Sequence, residues 1–217
     1  MPGFLFVKRD RIRMKQSAPS ADRNMGVVRD RLLKIVPETA RDLLEVSSGT
    51  GQHGAHCAPA MPHLRWWPTE FDAERLASIA AYVADTPSGN LMPPQQLDVM
   101  DETWEAATEP RRADVIVNIN MIHITPWDAC VGLLRGAGRK LSDGGLLVFY
   151  GPFRQHDIET ADSNEAFDVW LKSQNPAYGL RFVEDVAEEA SRHSLSLSGI
   201  LPVPANNLIV VFSRKDA

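Results

Sequence analysis

Three glycines at the end of one apolar run limit the folds open to this chain more than any other stretch. The run is Leu43-Leu44-Glu45-Val46-Ser47-Ser48-Gly49-Thr50-Gly51-Gln52-His53-Gly54. Its first half suits a buried strand and its second half a helix, with Gly49, Gly51 and Gly54 at the junction. Such a junction must turn sharply, let backbone approach a ligand, and pack the helix close to the sheet, which glycine alone permits without steric cost. Any tight strand-to-helix turn needs glycine too, so the rest of the chain has to decide whether a ligand belongs there.

The hydrophobic period switches repeatedly between two and 3.6 along the chain, which is the signature of alternating strands and helices. A lead-in helix is expected from Asn24 to Ile35, with Val27, Val28, Leu32 and Ile35 on one face and Pro37 closing it. Strand follows at 41–46, helix at 52–60, strand at 64–69 and an amphipathic helix at 73–84. A short third strand is expected at 94–99, and the β-branched run 114–120 suits the buried centre of a parallel sheet. Helix at 126–140, a turn at Ser142-Asp143-Gly144-Gly145 and a strand at 146–150 come next. Helices at 163–173, with Phe167, Trp170 and Leu171 sharing a face, and at 183–193 lead to strands at 195–200 and 207–212. The joint Pro202-Val203-Pro204-Ala205 is too short for a crossover, so those last two strands must be antiparallel neighbours.

At 217 residues the chain suits one α/β domain, assigned to 17–217, behind a basic N-terminal arm at 1–16 that is expected to be disordered. In that arm Lys8, Arg9, Arg11, Arg13 and Lys15 follow the apolar piece, the reverse of a secretory signal's order. The formal net charge of -5 argues against a broad surface for nucleic acid. Cys57 and Cys130 are far apart, so neither a disulfide framework nor a thiolate zinc site is suggested, and a reducing cytoplasm fits. No stretch reaches the roughly 20 apolar residues of a membrane span.

Two ligands compete for the glycine turn: a dinucleotide, whose pyrophosphate favours a helix N-terminus, and S-adenosylmethionine, which is cationic. Glu45, four residues before Gly49, would repel a pyrophosphate and attract an ammonium group. Glu70 and Asp72 end the second strand, where a carboxylate accepts from ribose hydroxyls of either ligand. Asp98, at the end of the third strand, is placed to accept from an adenine amine, and with the antiparallel tail it favours S-adenosylmethionine.

Four segments carry a closer resemblance: Glu45 to His53, Asn118 to Trp127, Tyr150-Gly151-Pro152-Phe153, and Pro204-Ala205-Asn206-Asn207-Leu208. In these, and in Arg23-Asn24, the chain resembles the methyltransferase-like 26 family, also called domain of unknown function 938, over residues 18 to the C-terminus. The resemblance implies a Rossmann-like class I methyltransferase, with a seven-stranded, mostly parallel sheet, an antiparallel last strand, and helices on both faces. It leaves the methyl acceptor open, as a small molecule or a protein side chain. Ser47-Ser48 departs slightly from the small pair expected there and should leave the turn intact.

The expected cofactor residues are Glu45, Ser47, Gly49, Gly51, His53, Glu70, Asp72, Asp98, Val99, Asn118 and Asn120. Catalytic candidates are His123, Asn120 and Tyr150, at the carboxyl ends of the fourth and fifth strands, where open α/β sheets place ligands. His123 could orient or deprotonate an acceptor, Tyr150 could wall the methyl group, and each has a purely structural alternative. The acceptor pocket is drawn from Arg23, Asn24, His123, Tyr150, Asn206 and Asn207, with helix capping the simpler role for Asn24. His53, His56 and Cys57 share a helical face but have no fourth partner for zinc. The five tryptophans, Trp66, Trp67, Trp104, Trp127 and Trp170, are read as core or pocket wall. Methyl transfer from S-adenosylmethionine is therefore the expected function, with an NAD(P)-dependent oxidoreductase or a non-catalytic S-adenosylmethionine-binding protein as rivals.

Overall fold

The computed structural model describes residues 15–215 and divides into two compact units between Leu97 and Asp98. Residues 1–14 of the expected basic arm lie outside the described residues. Lys15 and Gln16, which end it, are held: Lys15 pairs with Asp85 at 2.8 Å and the Gln16 amide donates to Ser78 Oγ at 2.8 Å.

The first unit begins with α1 (Pro19–Ile35), which starts five residues before the expected Asn24. Pro19 at the first helical position, Asp22 in the first turn and Lys34 in the last explain the longer span, since each suits its end of the helix dipole. Asn24 therefore lies inside the helix and does not cap it, which corrects that reading. Strand β1 (Asp42–Val46) is buried along its whole length, and Leu43 and Leu44, fully enclosed, contribute about 1.5–3 kcal/mol each. The glycine turn then delivers α2 (Gln52–Cys57), extended by one 3-10 turn at Ala58–Ala60.

Strand β2 (Arg65–Glu70) pairs parallel with β1, Leu44 opposite Trp67, and α3 (Ala73–Asp85) follows with Asp72 as its cap, Oδ1 accepting from the Glu74 amide. The third strand is shorter than expected: β3 is only Gln95–Gln96, parallel to β2, with a separate bridge from Leu91 to Trp66. Pro93 and Pro94, lacking N–H donors, separate the two pairings. Val99 is buried, and Asp98 is an exposed turn residue whose Oδ1 accepts from the Met100 amide.

The second unit opens with the short α4 (Trp104–Ala107) and the buried strand β4 (Ala113–Ile119). After a 3-10 turn at Met121–His123, α5 (Trp127–Lys140) leads to β5 (Leu141–Gly151), parallel to β4. The register jumps from Leu141 to Leu146, so the expected turn at 142–145 survives as a bulge within β5, with Gly144 at φ 71°.

Helix α6 (Asp162–Gln174) departs from its predicted face: Asn164, Asp168 and Leu171 point inward, while Phe167 and Trp170 stack on each other in the open, Trp170 54% exposed. The inward polar side chains are matched, since Asp168 pairs with Arg154 and Lys172, so position 168 outranks Phe167 for burial. Trp170 is thus not core, whereas Trp66 and Trp104 are fully enclosed.

Helix α7 (Val183–Ser191) precedes β6 (Leu195–Val203) and β7 (Asn207–Arg214), which form the predicted antiparallel hairpin with Val203 opposite Asn207. Strand β7 also runs antiparallel to β5. The seven strands follow the order β3-β2-β1-β4-β5-β7-β6, the mostly parallel sheet with antiparallel closing strands that the alternating pattern predicted. Among the described residues no helix is long and apolar enough to cross a membrane.

Candidate functional site

In the first unit the glycine turn is a wired structure. Ser47, Gly49 and Gly51 have φ of 61°, 58° and 93°, so three left-handed residues fold the chain back between β1 and α2. A Cβ at Gly51 would lie 2.9 Å from the Ile79 Cα, so glycine is required there twice over, by conformation and by the approach of α3. A Cβ at Gly49 would meet no atom within 4 Å, so this face of the turn is open. Ser47 tolerates the left-handed conformation, and the Ser-Ser departure leaves the turn intact as expected.

The two acids of this unit have different roles. Glu70 is 4% exposed, and its carboxylate gathers three backbone donors: Oε2 accepts from Gly49 at 2.7 Å, and Oε1 from Phe71 and Asp72 at 2.9 and 3.2 Å. It therefore clamps the glycine turn to the end of β2. Glu45 is 1% exposed, accepts from the Trp66 indole at 2.8 Å, and sits 3.2 Å from where a Gly54 Cβ would be. Burial, opposed by the Trp66 and Ser48 hydrogen bonds and aided by the Glu70 charge, pushes its carboxyl up to about 7. Glu45 thus acts from behind α2 and not as an open carboxylate.

A row of polar contacts holds α1 against this turn. Gln52 Oε1 accepts from the Ala18 amide at 2.7 Å and the Thr50 hydroxyl at 2.8 Å, and its Nε2 donates to Asp22 at 2.5 Å. His53 Nε2 lies 2.9 Å from Asn24 Oδ1, and burial together with the His56 charge lowers the ring to about 4. Arg23 is exposed on the same helix. His56 meets Arg29 at 3.2 Å, and burial pushes the Cys57 thiol well above its ordinary value.

In the second unit, Asn118, Asn120, His123 and Tyr150 come together at the ends of β4 and β5. Asn120 adopts φ 61° and its amide donates to the Tyr150 carbonyl at 2.9 Å. Gly151 faces both neighbours: a Cβ there would lie 2.5 Å from His123 Nε2 and 3.0 Å from Asn120 Oδ1. His123 is 1% exposed and edge-on to Phe153 at 5.0 Å, and neither ring nitrogen has a hydrogen-bond partner among the described residues. Burial, with a smaller contribution from Arg181, lowers its pKa to about 3, so the ring is neutral throughout the physiological range. Asn118 and Tyr150 are buried.

Asn206 and Asn207 lie beside that cluster: Leu208 pairs with Gly151, and Phe153, edge-on to His123, lines the same cleft as both asparagines. They belong to the β6–β7 turn, where Ala205 and Asn206 have φ of 62° and 56°, and they border a cleft of about 510 Å³. Gln52 and Asp22 were missed by sequence reasoning, because nothing in their spacing signals a long-range hydrogen bond. Phe153, which the Tyr150-Gly151-Pro152-Phe153 segment offers as an aromatic wall, does line that cleft, whereas its walls at Ile158 and Pro202 were missed, since they are distant in sequence and share no motif.

A family model described as "Protein of unknown function (DUF938)" matches residues 15–214. Among solved structures the chain is similar to an O-methyltransferase family protein from Burkholderia thailandensis, with TM-score 0.73, 16% identity, and coverage of 91% of this chain and 57% of that one. It is also similar to an O-methyltransferase family 2 protein from Planctomyces limnophilus in complex with apigenin, with TM-score 0.74, 19% identity and coverage of 91% and 60%. A third is CalO1, a methyltransferase in calicheamicin biosynthesis in its SAH-bound form, with TM-score 0.65, 17% identity and coverage of 82% and 50%. The chain thus spans between half and three fifths of the length of these proteins, and at such identities the likeness establishes the fold.

Proposed function

The chain belongs to the DUF938 family, and from that premise we propose that it binds S-adenosylmethionine at the glycine turn and transfers its methyl group to an acceptor, a small molecule or a protein side chain. One observation carries the choice of cofactor. The Gly49 amide, which a pyrophosphate would need, already donates to the buried Glu70 carboxylate at 2.7 Å. With that donor taken, a pyrophosphate would lose a hydrogen bond at the turn, whereas S-adenosylmethionine carries no phosphate that needs one. The methyltransferase names of the structurally similar proteins, one of them SAH-bound, point the same way.

In this reading Ser47, Gly49 and Gly51 present backbone to the ligand, and Glu70, with Asp72 beside it, receives the ribose. Asp98 and Val99 serve the adenine, Asn118 and Asn120 the remainder of the cofactor, and α1 covers the turn through Asn24 and His53, with Arg23 toward the acceptor. Once bound, S-adenosylmethionine supplies a methyl carbon activated by its sulfonium, so the residues of this chain have chiefly to align an acceptor in line. Asn120 and Tyr150 are the proposed acceptor-side groups, and the neutral His123 holds their strand ends through its contact with Gly151.

Mass spectrometry of ligand retained on the purified protein, followed by calorimetry with S-adenosylhomocysteine, tests this. Glu70→Ala and Asp98→Ala should each weaken S-adenosylhomocysteine binding. A retained nicotinamide dinucleotide, or NADH binding more tightly than S-adenosylhomocysteine, would overturn it.

A further inference from the structure

The cleft of about 510 Å³ in the second unit falls within the roughly 300–1,000 Å³ range of small-molecule sites. Its walls are fastened before any ligand arrives. The β6–β7 turn is tied to α6 in both directions, by Asn164 Nδ2 to the Asn206 carbonyl at 2.9 Å and by Asn206 Nδ2 to Ser163 Oγ at 3.0 Å. The opposite wall, the loop after β5, is held by the Arg154 amide on the Arg181 carbonyl and the Val183 amide on the Arg154 carbonyl, each at 2.9 Å.

The lining defines a ligand. Phe153, Ile158, Ile200, Pro202 and Leu208 make it largely apolar. Ile158 stands 58% exposed at its edge, an apolar side chain in water that an occupant would cover. Two charged residues border the cleft, Arg154 and Glu159. The Arg154 guanidinium is already engaged by Glu165 at 2.6 Å and Asp168 at 3.0 Å, neither of which lines the cleft. Glu159 is exposed, so an anion entering the cleft would face its carboxylate, while the charge of the bordering Arg154 is already offset by the Glu165 and Asp168 carboxylates on its Nη2. Gln155 adds an amide group for one or two hydrogen bonds, while the Asn207 Nδ2 already donates to the Pro204 and Ala205 carbonyls.

We propose that this cleft binds an uncharged, mostly apolar small molecule and discriminates against carboxylates, and that this compound is the methyl acceptor, a point that rests on the methyl-transfer reading. The test uses the full chain with 2-naphthol and 2-naphthoate as probes, titrated by calorimetry at pH 7.5. 2-Naphthol should bind at least about tenfold more tightly than 2-naphthoate. Thr160→Trp, which fills the cleft from its loop wall, should abolish 2-naphthol binding, and Ile200→Trp should do so from the strand wall. Glu159→Lys should narrow the gap between the probes. S-adenosylhomocysteine affinity should be unchanged in all three variants.

Equal or tighter binding of 2-naphthoate, absence of 2-naphthol binding, or undiminished binding in both tryptophan variants would overturn the proposal. Failure of the unaltered chain to bind S-adenosylhomocysteine would instead remove the methyl-transfer reading, leaving the cleft result to stand as that of a separate site.

Discussion

The glycine turn of the first unit and the strand-end cluster of the second both bury polar groups, yet they stabilise them in opposite ways. Glu70 satisfies its carboxylate with three backbone donors, whereas His123 is held neutral by burial and its ring nitrogens have no hydrogen-bond partner among the described residues. In the first case backbone geometry fixes which residue must stand at each position. In the second, side chains fit against one another, and the fit tolerates more than one answer. A buried polar group without a hydrogen bond costs free energy at His123, whereas the cost in the turn is one of backbone conformation, at Ser47.

The contrast should be largest in glycine replacements. Gly51→Ala brings a Cβ against the Ile79 backbone at a positive φ, and should lower the unfolding free energy by about 3 kcal/mol or more, read by urea denaturation. Gly151→Ala meets only the His123 and Asn120 side chains, which can yield, and should cost about 2 kcal/mol. The reverse order would mean that the strand-end cluster, not the turn, is the rigid part.

Glu70→Gln is expected to cost roughly 1–3 kcal/mol, because the new amide turns one N–H group toward backbone donors and leaves at least one of them orphaned. His123→Gln should cost less than that once its new polar groups find partners. Equal stability of Glu70→Gln and the unaltered chain would show that the clamp on the turn contributes nothing.

The pH dependence separates the two regions further. His123 and His53 are held near 3 and 4, so below about 6.5 the unfolded chain binds protons that the folded chain does not. Both therefore lower stability as pH falls through that window. Glu45 acts in the other direction. Its folded carboxyl holds a proton up to about 7, while the unfolded one releases it above 4.5, so its contribution is present at low pH and lost as pH rises through about 7. Between pH 4.5 and 6 the His123→Gln variant should show a slope shallower by about one proton, near 1.4 kcal/mol per pH unit, and Glu45→Gln a steeper one. Parallel curves for all three proteins would place these groups in solvent.

The smallest effect is expected at Asp98. Its carboxylate is exposed and accepts one bond from its own turn, so Asp98→Ala should change stability by less than about 0.5–1 kcal/mol while weakening S-adenosylhomocysteine binding. A large loss of stability would give the residue a structural role in place of the proposed one.

The order of strands and helices could be read almost completely from the chain, because period, prolines and glycines are local signals. The third strand was misjudged where Pro93-Pro94 break its pairing, and the start of α1 where Pro19 begins the helix earlier than its apolar stripe does. At the candidate site the legible residues were Gly49, Gly51, Glu70 and Asn120, each required by a turn or a strand end. Gln52 was not, and of the Phe153–Leu208 cleft only Phe153, Asn206 and Asn207 were, since the remaining contacts form between residues that meet only after folding.

Sequence alone determined the alternating architecture, the antiparallel tail and the place of the glycine turn, since each follows from short-range backbone constraints that side-chain type imposes directly. Tertiary structure alone decided which way the buried side chains face: Glu45 toward Trp66, Phe167 and Trp170 outward, and His123 into a neutral pocket against Phe153. The physical reason is that burial and charge are set by neighbours distant in sequence, and their balance changes a side chain's direction without changing the helix or strand that carries it.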